Sequence, residues 1–289
     1  MNKIKNILVG IDFSKSNFQV LKRALRLSKL KDAKLTIVHA IDKSLFDKHF
    51  ANSNNEKLIE KAKAKIEEEI KKINELNVDY SILVEITSPS NLIIETAKNN
   101  NPELILIGVN TGEDFKSKIF GSTSIKTIQN TKLPVLIVKN DCENEYENIL
   151  AFTDLSEISE KSINFCQDFF EKSDLKVIHA YKQLNDLALT FYNSIEDKEK
   201  IQKEITKKSE EEFEEFKKTN NILDAELVEV HHGISEILLN KAKEENRDLI
   251  VIASHGVNNA GSFFYGSTAL YMMENVQSDI LIYVPEEDN

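Results

Sequence analysis

The sequence predicts an α/β protein in which a doubly wound, mostly parallel sheet is built twice in tandem. Three observations predict it. Short apolar runs alternate with amphipathic helical stretches along all 289 residues, an order that buries a parallel sheet between helix layers. Two stretches, Leu104–Val138 and Leu249–Val284, echo each other. Each runs from an apolar segment through a polar loop closed by Gly-Ser-Thr, then into a helical segment and a second apolar run. Landmarks also recur at nearly one spacing: Asp154 follows Asp12 by 142 positions, and Gly266 follows Gly121 by 145. That is an internal duplication, with domains expected at residues 1–140 and 147–289. Each unit is long enough to bury its own five-stranded sheet, so two domains are expected rather than a solenoid.

The elements follow in order. Lys5–Ile11 is an apolar strand ending at Asp12, and Ser14 reads as the cap of a helix whose face carries Leu21, Ala24, Leu25 and Ser28. Lys34–Ala40 is a second strand, followed by a polar loop. Glu56–Leu76 is a long amphipathic helix, its lysines and glutamates forming a solvated face. Tyr80–Ile86 alternates as a strand. Ser88 or Ser90 caps the next helix, which Asn99–Pro102 ends. The first echoed stretch completes five strands and four helices. Lys139–Glu147 is the natural boundary. The pattern then repeats with Ile149–Phe152, a cap at Ser156, Val177–Ala180, a charged helix over Asp197–Lys218, Ala225–Val230, and a helix over Ile234–Lys243.

The totals narrow the function. A net charge of −11 argues against a general binder of nucleic acid or of membrane surfaces. No apolar run is long enough to span a bilayer, and no secretory leader is read at the N-terminus. Two cysteines, Cys142 and Cys166, suggest no disulfide framework, which points to a reduced cytoplasmic setting.

The loops carry the chemistry. Glycine is scarce, eight residues in all, and six of them fall in the two loops: Gly108, Gly112, Gly121, Gly256, Gly261 and Gly266. Such a concentration predicts unusual backbone or close approach to a ligand. Backbone N–H groups at Gly121–Thr123 and Gly266–Thr268 would sit at helix N-termini and suit phosphate, and Ser122, Thr123, Ser124, Ser267 and Thr268 add hydroxyls. The competing reading is a plain turn and N-cap. Neither a Walker loop nor a GxGxxG fingerprint is present. In such sheets ligands bind beyond the carboxyl ends of the strands, where strand order reverses. Asp12 and Asp154 close the first strand of each repeat. A carboxylate repels a triphosphate unless a metal intervenes, so these are expected at adenine or ribose donors, or at Mg²⁺. Alternatively, each helps start the next helix.

At these residues the chain resembles the universal stress protein family, in its tandem two-domain form, over essentially its whole length. Nucleotide-binding members carry Gly-x2-Gly-x9-Gly-Ser/Thr after the fourth strand and an Asp after the first. Here the motif reads Gly108-x2-Thr111-x9-Gly121-Ser122 in the first repeat, with Gly112 one place late. It reads Ala253-x2-Gly256-x9-Gly266-Ser267 in the second. The resemblance implies the strand order 3-2-1-4-5, two domains packed as a pseudo-dimer (homodimerisation being open), and ATP, with or without Mg²⁺, as the ligand. It also aligns Ala40 and Ala180 with a position lining the adenine pocket.

Other residues read more plainly. Lys116 and Lys118 are expected to be solvated, Phe263, Phe264 and Tyr265 to pack, and His39 and His179 to be structural. His231, His232 and His255 lack a metal-binding spacing, and Cys166 reads as core. The expected function is a cytoplasmic, ATP-responsive stress sensor or regulatory module rather than a dedicated enzyme. A slow ATPase or autophosphorylating protein, or a nucleotide-free scaffold, are the alternatives. The second repeat is expected to bind better. Ala253 adds only a methyl, whereas Thr111 sets a β-branched side chain where positive φ would be costly.

Overall fold

The computed structural model describes residues 4–14, 17–42, 54–73, 77–111, 118–119, 121–141, 143–184, 195–231, 233–254 and 266–284. Its chain folds as two units, each an α/β sheet with helices.

The first unit is built on β1 (Asn6–Ile11), β2 (Lys34–Ala40), β3 (Tyr80–Glu85), β4 (Leu104–Gly108) and β7 (Val135–Val138). They lie side by side as β7-β4-β1-β2-β3, all parallel. This is the expected order 3-2-1-4-5. The continuous apolar runs of β1, β4 and β7 are buried, as a sheet covered on both faces requires. Strand order reverses between β1 and β4, and that is where a crevice opens. The crossovers run through α1 (Asn17–Lys31), α2 (Asn55–Ile73), α3 (Pro89–Asn100) and α4 (Ser122–Asn130). Ser88 is the α3 cap: its Oγ accepts the Asn91 N–H at 3.4 Å, and Pro89 starts the helix with its φ already set. A small hairpin, β5 (Asn110–Thr111) with β6 (Lys118–Ile119), stands apart from the sheet.

The second unit repeats the plan. β8 (Asn148–Thr153), β9 (Asp174–Lys182), β10 (Asp224–Val230) and β11 (Leu249–Ala253) are parallel in the order β10-β9-β8-β11. With them go α5 (Glu157–Phe169), α6 (Ile195–Thr219), α7 (Ile234–Glu245) and α8 (Ser267–Asn275). Ser156 caps α5 through its Oγ, 3.3 Å from the Ser159 N–H.

Register ties the repeats together position by position. Leu8 lies opposite Ile105 in the first unit, and Leu150 opposite Ile250 in the second. The amino ends match too. Glu103 accepts the Asn6 N–H at 2.8 Å, and Asp248 accepts the Asn148 N–H at 2.9 Å. Each carboxylate fastens the start of its first strand to the helix–strand corner beside it.

The last strand, β12 (Asp279–Tyr283), runs antiparallel to β7 and belongs by its contacts to the first unit. Ile280 faces Ile137 and Ile282 faces Val135. The final strands of the two repeats therefore pair, as expected from the exposed sheet edge that each repeat would otherwise leave. No helix among the described residues is long and apolar enough to cross a membrane.

Candidate functional site

In the first unit the chain converges on the carboxyl ends of β1, β2 and β4. β1 ends in Ile11 and Asp12, and the turn that follows puts Phe13 at φ 63°, an uncommon value for a bulky residue. Asp12 steadies that turn by accepting the Ser14 N–H at 2.9 Å. The second unit copies it: Leu155 has φ 63°, and Asp154 accepts the Ser156 N–H at 3.1 Å and its hydroxyl at 2.6 Å. The two aspartates thus have the turn-making role weighed as their alternative, while also facing the cavities described next. Behind each turn a buried histidine is held by the strand before it. His39 Nδ1 lies 2.9 Å from the Ile11 carbonyl, and His179 Nδ1 lies 2.9 Å from that of Thr153. Both are structural strand-end residues, as their positions suggested. Burial pulls the His39 pKa below its usual value.

A cavity of about 510 Å³ opens above these ends. Its walls include six predicted site residues: Asp12, Ala40, Gly108, Ser122, Thr123 and Ser124. Gly10, Asp42, Ser88, Ser90 and Lys126 also line it and were not foreseen. For Gly10 a signal existed, since a lone glycine inside an apolar strand marks close approach. A Cβ at Gly10 would come within 2.7 Å of Ile93 Cδ1. Lys126 lies one turn along the helix that Gly-Ser-Thr opens, so only the packing of α4 brings it to the cavity. Ser124 also tethers its helix to the strand end, its hydroxyl 3.5 Å from the Gly108 carbonyl.

The second unit holds a smaller cavity of about 280 Å³ at the matching place. Asp154, Ala180, Ala253, Gly266, Ser267 and Thr268, all residues singled out in the sequence, line it together with Phe152, Leu238 and Ala269.

Two expectations about the loops change. Gly121 and Gly266 sit at helix N-caps with φ of −70° and −55°, so neither uses positive φ. Thr111 lies in β5, its backbone paired with that of Lys118 as extended chain, so that position does not call for positive φ. The argument against the first repeat loses its force. Gly108 is needed for space, because a Cβ there would meet Val20 Cγ2 at 2.8 Å. In the second repeat Ala253 and Ser162 hold the positions equivalent to Gly108 and Val20, so a shorter side chain accompanies the added methyl. Gly112, Gly256, Gly261, Lys116, Phe263, Phe264, Tyr265, His232, His255 and Cys142 lie outside the described residues.

Among the described residues no three His, Cys, Asp or Glu side chains gather closely enough to hold a metal ion. His231 instead lies 3.0 Å from Glu229 on the surface. Cys166 is buried in α5, and that burial pushes its thiol pKa up.

Known proteins match about half of the chain, the length of one repeat. A universal stress protein of Methanocaldococcus jannaschii, MJ0531, is 26% identical over 142 residues, covering 48% of this chain and 84% of its own. A second from that organism, MJ0577, is 25% identical over 153 residues, covering 47% and 94%. Each therefore spans one repeat. Solved structures match the whole chain. A functionally unknown protein from Pseudomonas aeruginosa PAO1 superposes with a TM-score of 0.72 at 19% identity, covering 98% of this chain and 93% of that one. A universal stress protein from Archaeoglobus fulgidus gives 0.68 at 19% identity, covering 96% and 97%. These likenesses are of fold. The model of the universal stress protein family matches residues 3–139 and again 145–284; with the strand order and the paired strand-end cavities, this makes the chain a tandem member of the universal stress protein family.

Proposed function

We propose that the chain binds an adenine nucleotide, ATP, in the cavity of the first unit and works as a cytoplasmic stress-response sensor or regulatory module. The observation that carries this is the composition of that cavity. At about 510 Å³ it falls within the range of small-molecule sites, roughly 300–1,000 Å³. It joins the N-terminus of α4, with Ser122, Thr123 and Ser124, to Lys126 on the same helix. Helix N–H groups, hydroxyls and a cation suit phosphates. The small side chain of Ala40 leaves room at the strand end for a flat base. Asp12 and Asp42 supply acceptors for base or ribose donors. A Mg²⁺ arriving with the phosphates would find these same carboxylates, since Mg²⁺ is commonly held by one or two of them plus phosphate oxygens. The tandem repeats support reading the chain as a pseudo-dimer, and its net charge of −11 disfavours nucleic acid.

Calorimetric titration with ATP tests the proposal. One ATP per chain is expected, and Gly121→Val is expected to remove it, because the branched side chain crowds the first turn of α4. Two equivalent sites would show that both glycine loops bind nucleotide. Absence of binding to the folded wild-type protein would leave the scaffold reading.

A further inference from the structure

The two strand-end cavities have diverged in chemistry as well as in size. Matched register places Phe152 where the first unit has Gly10, since Leu8 and Leu150 occupy equivalent positions opposite Ile105 and Ile250. Phe152 is buried and lines the second cavity, facing Ile252 across the strand pair. On the helix side, Ala269 stands where Ser124 stands in the first unit, and Tyr271 where Lys126 stands. Pro89 has become Ile234.

Three of the hydroxyls that remain are already engaged. Ser159 donates its hydroxyl to the Ser156 carbonyl at 2.9 Å, and Thr153 Oγ1 lies 2.8 Å from Ser159 Oγ. Thr153 Oγ1 also accepts the Leu155 N–H at 2.9 Å. Thr268 Oγ1 accepts the Ser235 hydroxyl at 3.1 Å. No lysine or arginine is among the described residues lining this cavity, while Asp154 is. A phosphate there would meet that carboxylate with no cation among the described lining residues to offset it. What the walls offer in quantity is apolar surface from Phe152, Ile234, Leu238, Ile252 and Ala269.

We propose that the second unit's cavity is a separate site for a small, uncharged, largely apolar molecule of one or two rings, independent of what the first unit binds. Size agrees. An apolar cavity of about 150 Å³ takes up benzene, and this one measures about 280 Å³. That space lies at the lower edge of the roughly 300–1,000 Å³ usual for small-molecule sites, which suits a small ligand. A neutral ring needs neither the missing cation nor a free hydroxyl, and it gains by leaving water.

Methyl NMR of the whole chain, with indole and ATP as probes, tests this. Indole is expected to give saturable shifts at the methyls of Leu238, Ile252, Ala253 and Ala269, and excess ATP is expected to leave those shifts in place. Ala269→Leu fills the cavity and should abolish them; should that variant not fold, the wild-type competition decides alone. Displacement of indole by ATP, or ATP-induced shifts at those methyls, would overturn the proposal. So would indole shifts that never saturate there. If indole shifts this set while ATP shifts neither it nor the Ile93 and Ile107 methyls of the first unit, the nucleotide reading fails and the present one is supported.

Discussion

Arg23 reaches from α1 to Asp279 at the start of β12, 3.9 Å away, with both side chains almost wholly shielded from water. Residues from opposite ends of the sequence thus meet in one buried ion pair. Asp279 Oδ1 also accepts the N–H groups of Lys139 at 2.8 Å and Asn140 at 3.0 Å, and Arg23 donates to the Asn144 carbonyl at 2.7 Å. The pair pins β12 against the end of β7 and the chain that leaves it. Removing one partner leaves the other charge buried, a cost of roughly 3–5 kcal/mol. Asp279→Ala is therefore expected to lower stability to urea by about 3 kcal/mol. A loss within ordinary surface-mutation scatter would show that strand pairing alone seats β12.

Lys126 is expected to matter to the nucleotide through charge. Lys126→Ala should weaken ATP binding by roughly tenfold, in line with about 1.5–3 kcal/mol for a hydrogen bond to a charged group, discounted for solvent exposure. Its effect on adenosine should be slight. Equal losses for ATP and adenosine, measured by calorimetry, would show that Lys126 acts through the fold of α4 instead.

His39 should contribute a pH dependence of known sign. Burial lowers its pKa in the folded protein, against the opposing pull of the Ile11 carbonyl and Asp12. The unfolded chain then takes up the proton more readily, so the stability contributed by neutral His39 is full above the unfolded pKa, about 6.5. It is lost as pH falls below that value. The wild-type advantage over His39→Gln, measured by denaturant melts, should shrink between about pH 7.5 and pH 5.5. A difference constant over that range would mean that His39 titrates alike in both states.

Cys166 should be chemically silent while the protein is folded. It is 1% exposed, and burial raises its thiol pKa, so little thiolate forms and reagents cannot reach it. In a Cys142→Ser background, a disulfide reagent is expected to label Cys166 only as denaturant unfolds the chain. Rapid labelling under native conditions would show that α5 opens locally.

What could be read along the chain was whatever repeats locally. Apolar runs marked the strands because buried parallel strands need them, and serines at the caps of α3 and α5 announced those helices. The doubled Asp and Gly-Ser-Thr located both cavities, because strand ends and helix starts are short-range features. Ser14 could not be placed in the same way: its N–H answers to Asp12, and α1 begins at Asn17. The contrast between the cavities is a matter of register and packing. Gly10 and Phe152 look unrelated until pairing with β4 and β11 aligns them. Lys126 and Ser88 enter a site only when α3 and α4 settle on one sheet. The ion pair that accompanies the pairing of β12 with β7 likewise joins Arg23 and Asp279, 256 positions apart, whose approach no local pattern encodes. Side-chain periodicity is local and survives in sequence; the volume left between elements depends on how they pack and exists only in three dimensions.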